Sequence, residues 1–266
     1  MSLLTILYIG DIVGKPGREI LARELPYIKS KHRIDLVLAN AENSAHGLGV
    51  TRTTIEEMMD AGVDAFSSGN HVWDKKDFLN DIDDDDIPLV RPANFPLEAP
   101  GKRFLVVETN QKPVLLFNLM GRVFTGDLVD CPFKTADNIL TEHDVSIYSA
   151  IIVDFHAEAT SEKMALAHYL DGRVSLQVGT HTHVATADCR IFPKGMGYVT
   201  DLGMTGPYEN SVIGAGADNV LHSFLTGTHI RKWETATGKA LLNSVCITID
   251  TTLRRTVAME RVDIID

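Results

Sequence analysis

The sequence predicts an α/β fold in which two β-sheets pack together with helices outside them, and three observations carry that expectation. The first third alternates short apolar runs with amphipathic segments, the pattern of a parallel α/β arrangement. Hydrophobic runs in the middle and at the tail lie close enough to pair as hairpins. With 266 residues and 44% hydrophobic content, the chain can bury one large core. No repeat, linker or change of composition marks a boundary, so residues 1–266 are expected to form a single domain.

The elements follow in order. "LLTILYIG" is a short apolar run that stops at Gly10 and reads as a buried strand. "KPGREILARELPYIKSKHR" has Pro16 near a helix start and places Ile20, Leu21 and Leu25 on one side. "DLVLAN" is a second buried strand; "TRTTIEEMMDAG" is a helix with a polar start and a glycine stop at Gly62; "VDAFSSG" is a third strand. The middle differs. "DIDDDD", Asp81 to Asp86, lacks the spacing and glycine of a calcium loop and reads as a solvated acidic loop. "PLVRPANFPLEAPGK" is irregular, and "RFLVVETNQKPVLLFNL" reads as a hairpin about "TNQK". "SAIIVDFH", "SEKMALAHYLDG" and "RVSLQVG" give strand, helix and strand, and the tail segments "LLNSVCITID" and "RTVAMERVDI" an antiparallel pair.

Composition narrows the function classes. A formal charge of −11 leaves no basic footprint for a nucleic-acid backbone, so no stable nucleic-acid complex is expected. Cys131, Cys189 and Cys246 are far apart and form no C-x-x-C pair, which argues against a disulfide framework or a thiolate zinc site and fits a reducing compartment. The N-terminal apolar run is too short to span a membrane and has no signal-peptide pattern. A cytoplasmic protein without membrane partners is the expectation.

Ligand-binding residues of open α/β folds sit just beyond the carboxyl ends of strands. Five apolar strands here run into polar residues at that point. They deliver Asp11; Glu42 and Asn43; Asn70 and His71; His156; and His181 with His183. Singly, each is as readily a turn former or a structural polar residue. Eight together are harder to explain that way. The pair in "VGTHTHV" sits two residues apart, and in an extended chain both rings would face one side. Seven nitrogen and oxygen donors without thiolate exceed the needs of one tetrahedral ion. They suit two ions sharing a carboxylate, the usual clamp for in-line attack on phosphorus. His46 and Asp188 are weaker supporting candidates, whereas His32, His143, His168, His222 and His229 read as surface or core residues. Phe124, Trp73 and Tyr208 could wall a base-binding site, or could equally be core.

The segments "GDIVG", "AEN", "GNH", "DFH" and "GTHTH" resemble the motifs of the calcineurin-like metallophosphoesterase superfamily. Two departures matter: the D-x-H histidine is replaced by Val13, and the usual bridging aspartate by Glu42 beside Asn43. With "NAENSAHGLG", "RPANFP" and "VDFHAEATSEK", these departures are similar to the YmdB-like bacterial branch. That resemblance implies a four-layer α/β/β/α sandwich and two metal ions, iron foremost with manganese or zinc as alternatives. It also implies phosphodiesterase activity on 2′,3′-cyclic nucleotides by a metal-bridging hydroxide, and homo-oligomers. It places Asp11, Asn43 and His183 on one ion, Asn70, His156 and His181 on the other, Glu42 between them, and His71 facing the phosphate as the catalytic proton donor.

Rival assignments remain. "GDIVGKPG" is neither a dinucleotide-binding G-x-G-x-x-G nor a Walker loop, since no Ser or Thr follows Lys15. A phosphomonoesterase or nuclease using the same metals, or a metal-bearing regulatory scaffold with weak activity, stays open.

Overall fold

The computed structural model describes residues 2–228 and 234–266; His229 lies outside them. Strands β1 (Leu3–Ile9), β2 (Leu36–Asn40) and β3 (Ala65–Ser67) are parallel and alternate with helices α1 (Gly14–His32) and α2 (Arg52–Asp60). The second half supplies β4 (Phe104–Val107), β5 (Val114–Met120), α3 (Pro132–Glu142), β6 (Ala150–His156), α4 (Thr160–Leu170), β7 (Leu176–Thr180), β8 (Gly197–Val199), α5 (Ala217–Thr226), β9 (Ser244–Asp250) and β10 (Arg255–Arg261). One sheet has the order β10-β9-β1-β2-β3, and the other β4-β5-β6-β7-β8 with Arg190–Ile191 on its edge.

The four layers follow from strand alternation. On β1, Leu4, Ile6 and Tyr8 face the opposite sheet and meet Val114 and Leu116 of β5, Ile152 of β6 and Leu176 of β7. Their neighbours Leu7 and Ile9 point the other way, onto Ile20, Leu21 and Leu25 of α1 and Ile55 and Met58 of α2. Across the sandwich, Leu115, Phe117, Val153 and Phe155 pack on Ala136 and Ile139 of α3 and Leu166 and Leu170 of α4. The α/β/β/α sandwich is thus formed by three apolar layers between four structural ones.

Local signals set the ends. Thr51 and Thr54 form a reciprocal capping box at the start of α2, and α1 stops at Arg33, whose φ of 53° takes the left-handed turn that ends a helix. The acidic segment is exposed but not merely solvated: Arg52 is paired with Asp81, Asp84 and Asp86, and Asp83 accepts from the Gly101 amide.

Three expectations need correction. The tail is not two continuous strands: Asn243 separates Ala240–Leu242 from β9, and Ile264–Ile265 leaves β10. These fragments join Met204–Pro207 and Asp11–Ile12 in a small four-stranded sheet. Only Ala65–Ser67 of "VDAFSSG" is strand, and α3 and α5 are additional to the elements read from the sequence.

Candidate metal centre

Register brings the strand ends together. Ile9 of β1 pairs with Ala39, and Asn40 of β2 with Ser67, so Asp11, Glu42–Asn43 and Asn70–His71 emerge at one edge. In the other sheet Met120 pairs with His156 and His156 with Thr180, which places the start of the His181–His183 loop at the same level.

All seven expected ligands meet there. The Nε2 of His156 lies 3.2 Å from Glu42 Oε1, 3.2 Å from Asn70 Oδ1 and 3.0 Å from His181 Nδ1. Beside it, His183 Nε2 is 3.1 Å from Asn43 Nδ2 and 4.0 Å from Asp11 Oδ1. Two groupings have donor atoms all within 4.8 Å of one another: Glu42, His156 and His181; and Asp11, Glu42 and His183. Glu42 belongs to both.

The rings are oriented from outside. His156 Nδ1 donates to Thr180 Oγ1 at 2.9 Å, and that hydroxyl donates to Asp154 Oδ1 at 2.6 Å. His183 Nδ1 donates to the Ile213 carbonyl at 2.8 Å, and His181 Nε2 lies 3.3 Å from Glu158 Oε2. Each contact fixes one ring nitrogen as the donor and turns the other nitrogen's lone pair inward, as metal-ligating histidines require.

Three observations test whether this chamber fits cations. Asp11 Oδ1 and Asn43 Oδ1 are buried without a hydrogen-bond partner among the described residues, a costly arrangement that a cation would relieve. A β-carbon on Gly69 would lie 2.2 Å from Glu42 Oε2 and 2.4 Å from His156 Nε2, so the glycine of "GNH" keeps the chamber open. Finally, the donors are imidazole, carboxylate and amide oxygen, a set suited to iron, manganese or zinc. The residues fit bound cations.

Protonation shows the same electrostatic demand. Burial pushes the Asp11 carboxyl well above its ordinary range. Burial also opposes ionisation of Glu42, but the His156 imidazole against it prevails and holds it low. His156 is raised to about 9 because Glu42 and Asp11 outweigh its desolvation. His181 falls to about 3 through desolvation and the neighbouring charge of His156.

The expected geometry of the histidine pair does not hold. β7 ends at Thr180, and His181 and His183 have φ of 101° and 64°, in the left-handed region rather than an extended strand. The bend sends the rings to different groupings, with Glu42 between. His71 lies beside the chamber: its amide donates to Glu42 Oε2 at 3.2 Å and its Nδ1 is 2.8 Å from Asp74 Oδ2. Asp188 accepts from Thr186 and Thr200 and organises the following loop. His46 lines a separate cleft of about 450 Å³ with Lys15 and Glu19. Among the described residues, neither is hydrogen-bonded or ion-paired to the expected ligands. His32 sits with Cys246 and Glu260 on another face.

The strand-end pattern does not reveal the support beneath. Asp154 also accepts from Asn40 and Ser67, and a buried pair joins Lys163 Nζ to Asp201 Oδ2 at 2.7 Å. The same Asp201 oxygen accepts from the Thr182 amide at 3.1 Å, between the two loop histidines. The available signal is a polar residue inside an apolar strand, as at Asp154 in "AIIVDFH".

The fold and donor set fit the class of metallophosphoesterases, hydrolases of phosphate esters. The chain belongs to the family described as YmdB-like protein, whose model matches residues 7–262. It is 46% identical over 99% of its length to a Bacillus subtilis protein named 2′,3′-cyclic-nucleotide 2′-phosphodiesterase, covering 98% of that relative. A solved structure of a novel phosphatase from Mycoplasma pneumoniae matches with TM-score 0.93 and 38% identity, over all of this chain and 94% of the other. The sandwich alone is shared with a Candida albicans 5′-nucleotidase, at TM-score 0.52 and 13% identity over 98% of this chain and 50% of that one. Among the described residues, no helix is long and apolar enough to cross a membrane.

Proposed function

We propose that this chain, a single domain over residues 1–266, hydrolyses 2′,3′-cyclic nucleoside monophosphates at a centre of two metal ions. The observation that carries this is Glu42, whose carboxylate belongs to both donor groupings and so supports a bridging role. Asp11, Asn43 and His183 would hold one ion, and Asn70, His156 and His181 the other. When bound, the ions supply Lewis acidity and lower the pKa of the attacking water.

The protein's own groups do the rest. Asp154, acting through Thr180, keeps His156 in the tautomer with a free Nε2. Asp74 orients His71, and the outer nitrogen of that ring is the proton donor to the departing ribose oxygen. The Bacillus relative's name supports release of the 2′ oxygen, leaving a nucleoside 3′-monophosphate. The strained ring makes the cyclic diester an undemanding substrate. The Bacillus relative's name supports small phosphodiesters as the substrate class, and we infer iron as the preferred ion over manganese or zinc and a cytoplasmic homo-oligomer without a stable nucleic-acid complex as the working form.

The experiment is incubation with 2′,3′-cyclic AMP, with and without chelator and added iron or manganese, followed by separation of the isomers. The expected product is 3′-AMP, formed only with metal. Turnover that persists in chelator after metal is removed, or that yields only 2′-AMP, overturns the respective part of the proposal.

A further inference from the structure

Resting on the proposed substrate, we propose that Phe124 is the stacking platform for the nucleobase, presented by a rigid loop at the rim of the metal centre. β5 ends at Met120, in register with His156, and the next amide, Gly121, donates to the His156 carbonyl at 2.8 Å. Phe124 is only three residues further on, so its backbone is held within about 11 Å of Gly121.

The loop is pinned. Glu162, in the first turn of α4, accepts from the amides of Arg122 at 3.0 Å and Val123 at 3.2 Å. Thr125 Oγ1 donates back to the Gly121 carbonyl at 2.9 Å, closing the turn. A β-carbon at Gly121 would lie 2.5 Å from the Ala157 β-carbon, so the loop is seated directly against the segment following His156.

On this fixed loop Phe124 is 87% exposed. Its φ of 67° is an uncommon conformation for a side-chain-bearing residue. Strained backbone and a solvent-exposed ring both oppose stability, and such features persist where a ligand uses them. The ring has a free π-face, which any purine or pyrimidine can cover. Arg122, on the same turn, has no side-chain ion pair or hydrogen bond among the described residues and supplies positive charge for an anionic ligand in an otherwise acidic protein. Val123 and Leu128 of the same loop are exposed as well, so a second copy of the chain is the competing occupant, and the sedimentation arm of the test separates it from a nucleotide.

The test compares wild type, Phe124→Ser and Phe124→Trp on two substrates, 2′,3′-cyclic AMP and methyl ribofuranoside 2,3-cyclic phosphate, which lacks a base. Phe124→Ser is expected to raise KM for cyclic AMP about tenfold, with kcat within about threefold and the base-free substrate unaffected. Phe124→Trp restores the lower KM. Equal losses on both substrates, no change on either, or a shift in oligomeric state by sedimentation overturns the proposal. If wild type hydrolyses neither compound, the substrate assignment fails separately. Direct binding of 3′-AMP then decides the platform: a tenfold weaker Phe124→Ser variant upholds it, and equal affinity refutes it.

Discussion

Replacing Lys163 by methionine removes one half of a fully buried ion pair while nearly keeping its volume. Lys163 Nζ donates to Asp201 Oδ2 at 2.7 Å and to the Thr180 carbonyl at 2.9 Å, and both side chains are sealed from solvent. The variant leaves the Asp201 charge buried with, among the described residues, only the amides of Thr182 and Gly203 donating to it. Breaking a buried pair in this way costs about 3–5 kcal/mol. At about 2–4 °C per kcal/mol for a chain of this size, Tm falls by roughly 6–20 °C. Urea titration of metal-stripped wild type, Lys163→Met, Asp201→Asn and the double variant measures the pair directly. The double variant should recover at least about 2 kcal/mol over the sum of the singles, since neither charge is then stranded. A single variant within about 1 kcal/mol of wild type, or strictly additive effects, refutes the argument. Because Asp201 also anchors the Thr182 amide, refolded Lys163→Met should bind manganese about 10–100-fold more weakly.

Glu42→Ala should lose both ions, and with them the rise in Tm that added metal gives wild type; two metals per chain by elemental analysis would remove Glu42 from its bridging place. His71→Ala should retain the metal while turnover of cyclic AMP falls at least about tenfold, and unchanged turnover ends its role as proton donor. Metal uptake at pH 8 should release at least about one proton per chain, measured by calorimetry in buffers of different ionisation enthalpy, because His156 is held protonated up to about 9. In metal-free protein that raised value contributes stability that is complete below the ordinary histidine pKa near 6.5 and is lost as pH rises through about 9, which chelated samples melted across that range should show. Gly10→Ala should cost about 1–3 kcal/mol in urea, since its β-carbon would lie 1.9 Å from the Gly203 carbonyl oxygen.

The buried strands were legible because apolar runs such as "LLTILYI" end in chemistry that has no place in a core. Parallel register then brings Asp11, Glu42 and Asn70 to one edge, a consequence of strand order that follows once the α/β pattern is seen. The small sheet was not legible. Asn243 and the step from Arg261 to Ile264 divide apolar stretches without interrupting their hydrophobicity, so periodicity reads through them. Nor does alternation reveal a left-handed turn at His181 and His183, because backbone angle leaves no trace in hydrophobic pattern when the residue is not glycine. Lys163 illustrates a further limit: on an amphipathic helix a lysine is assigned to solvent, and only the partner 38 residues away makes its burial tolerable.

The donors of the centre are held by strand ends, a backbone bend and outer hydrogen bonds that the chain makes for itself. Donors from five separate stretches of chain therefore reach one point only when both sheets are in register, so the candidate centre reads out correct assembly of the sandwich: a one-residue slip of a single strand would dismantle it.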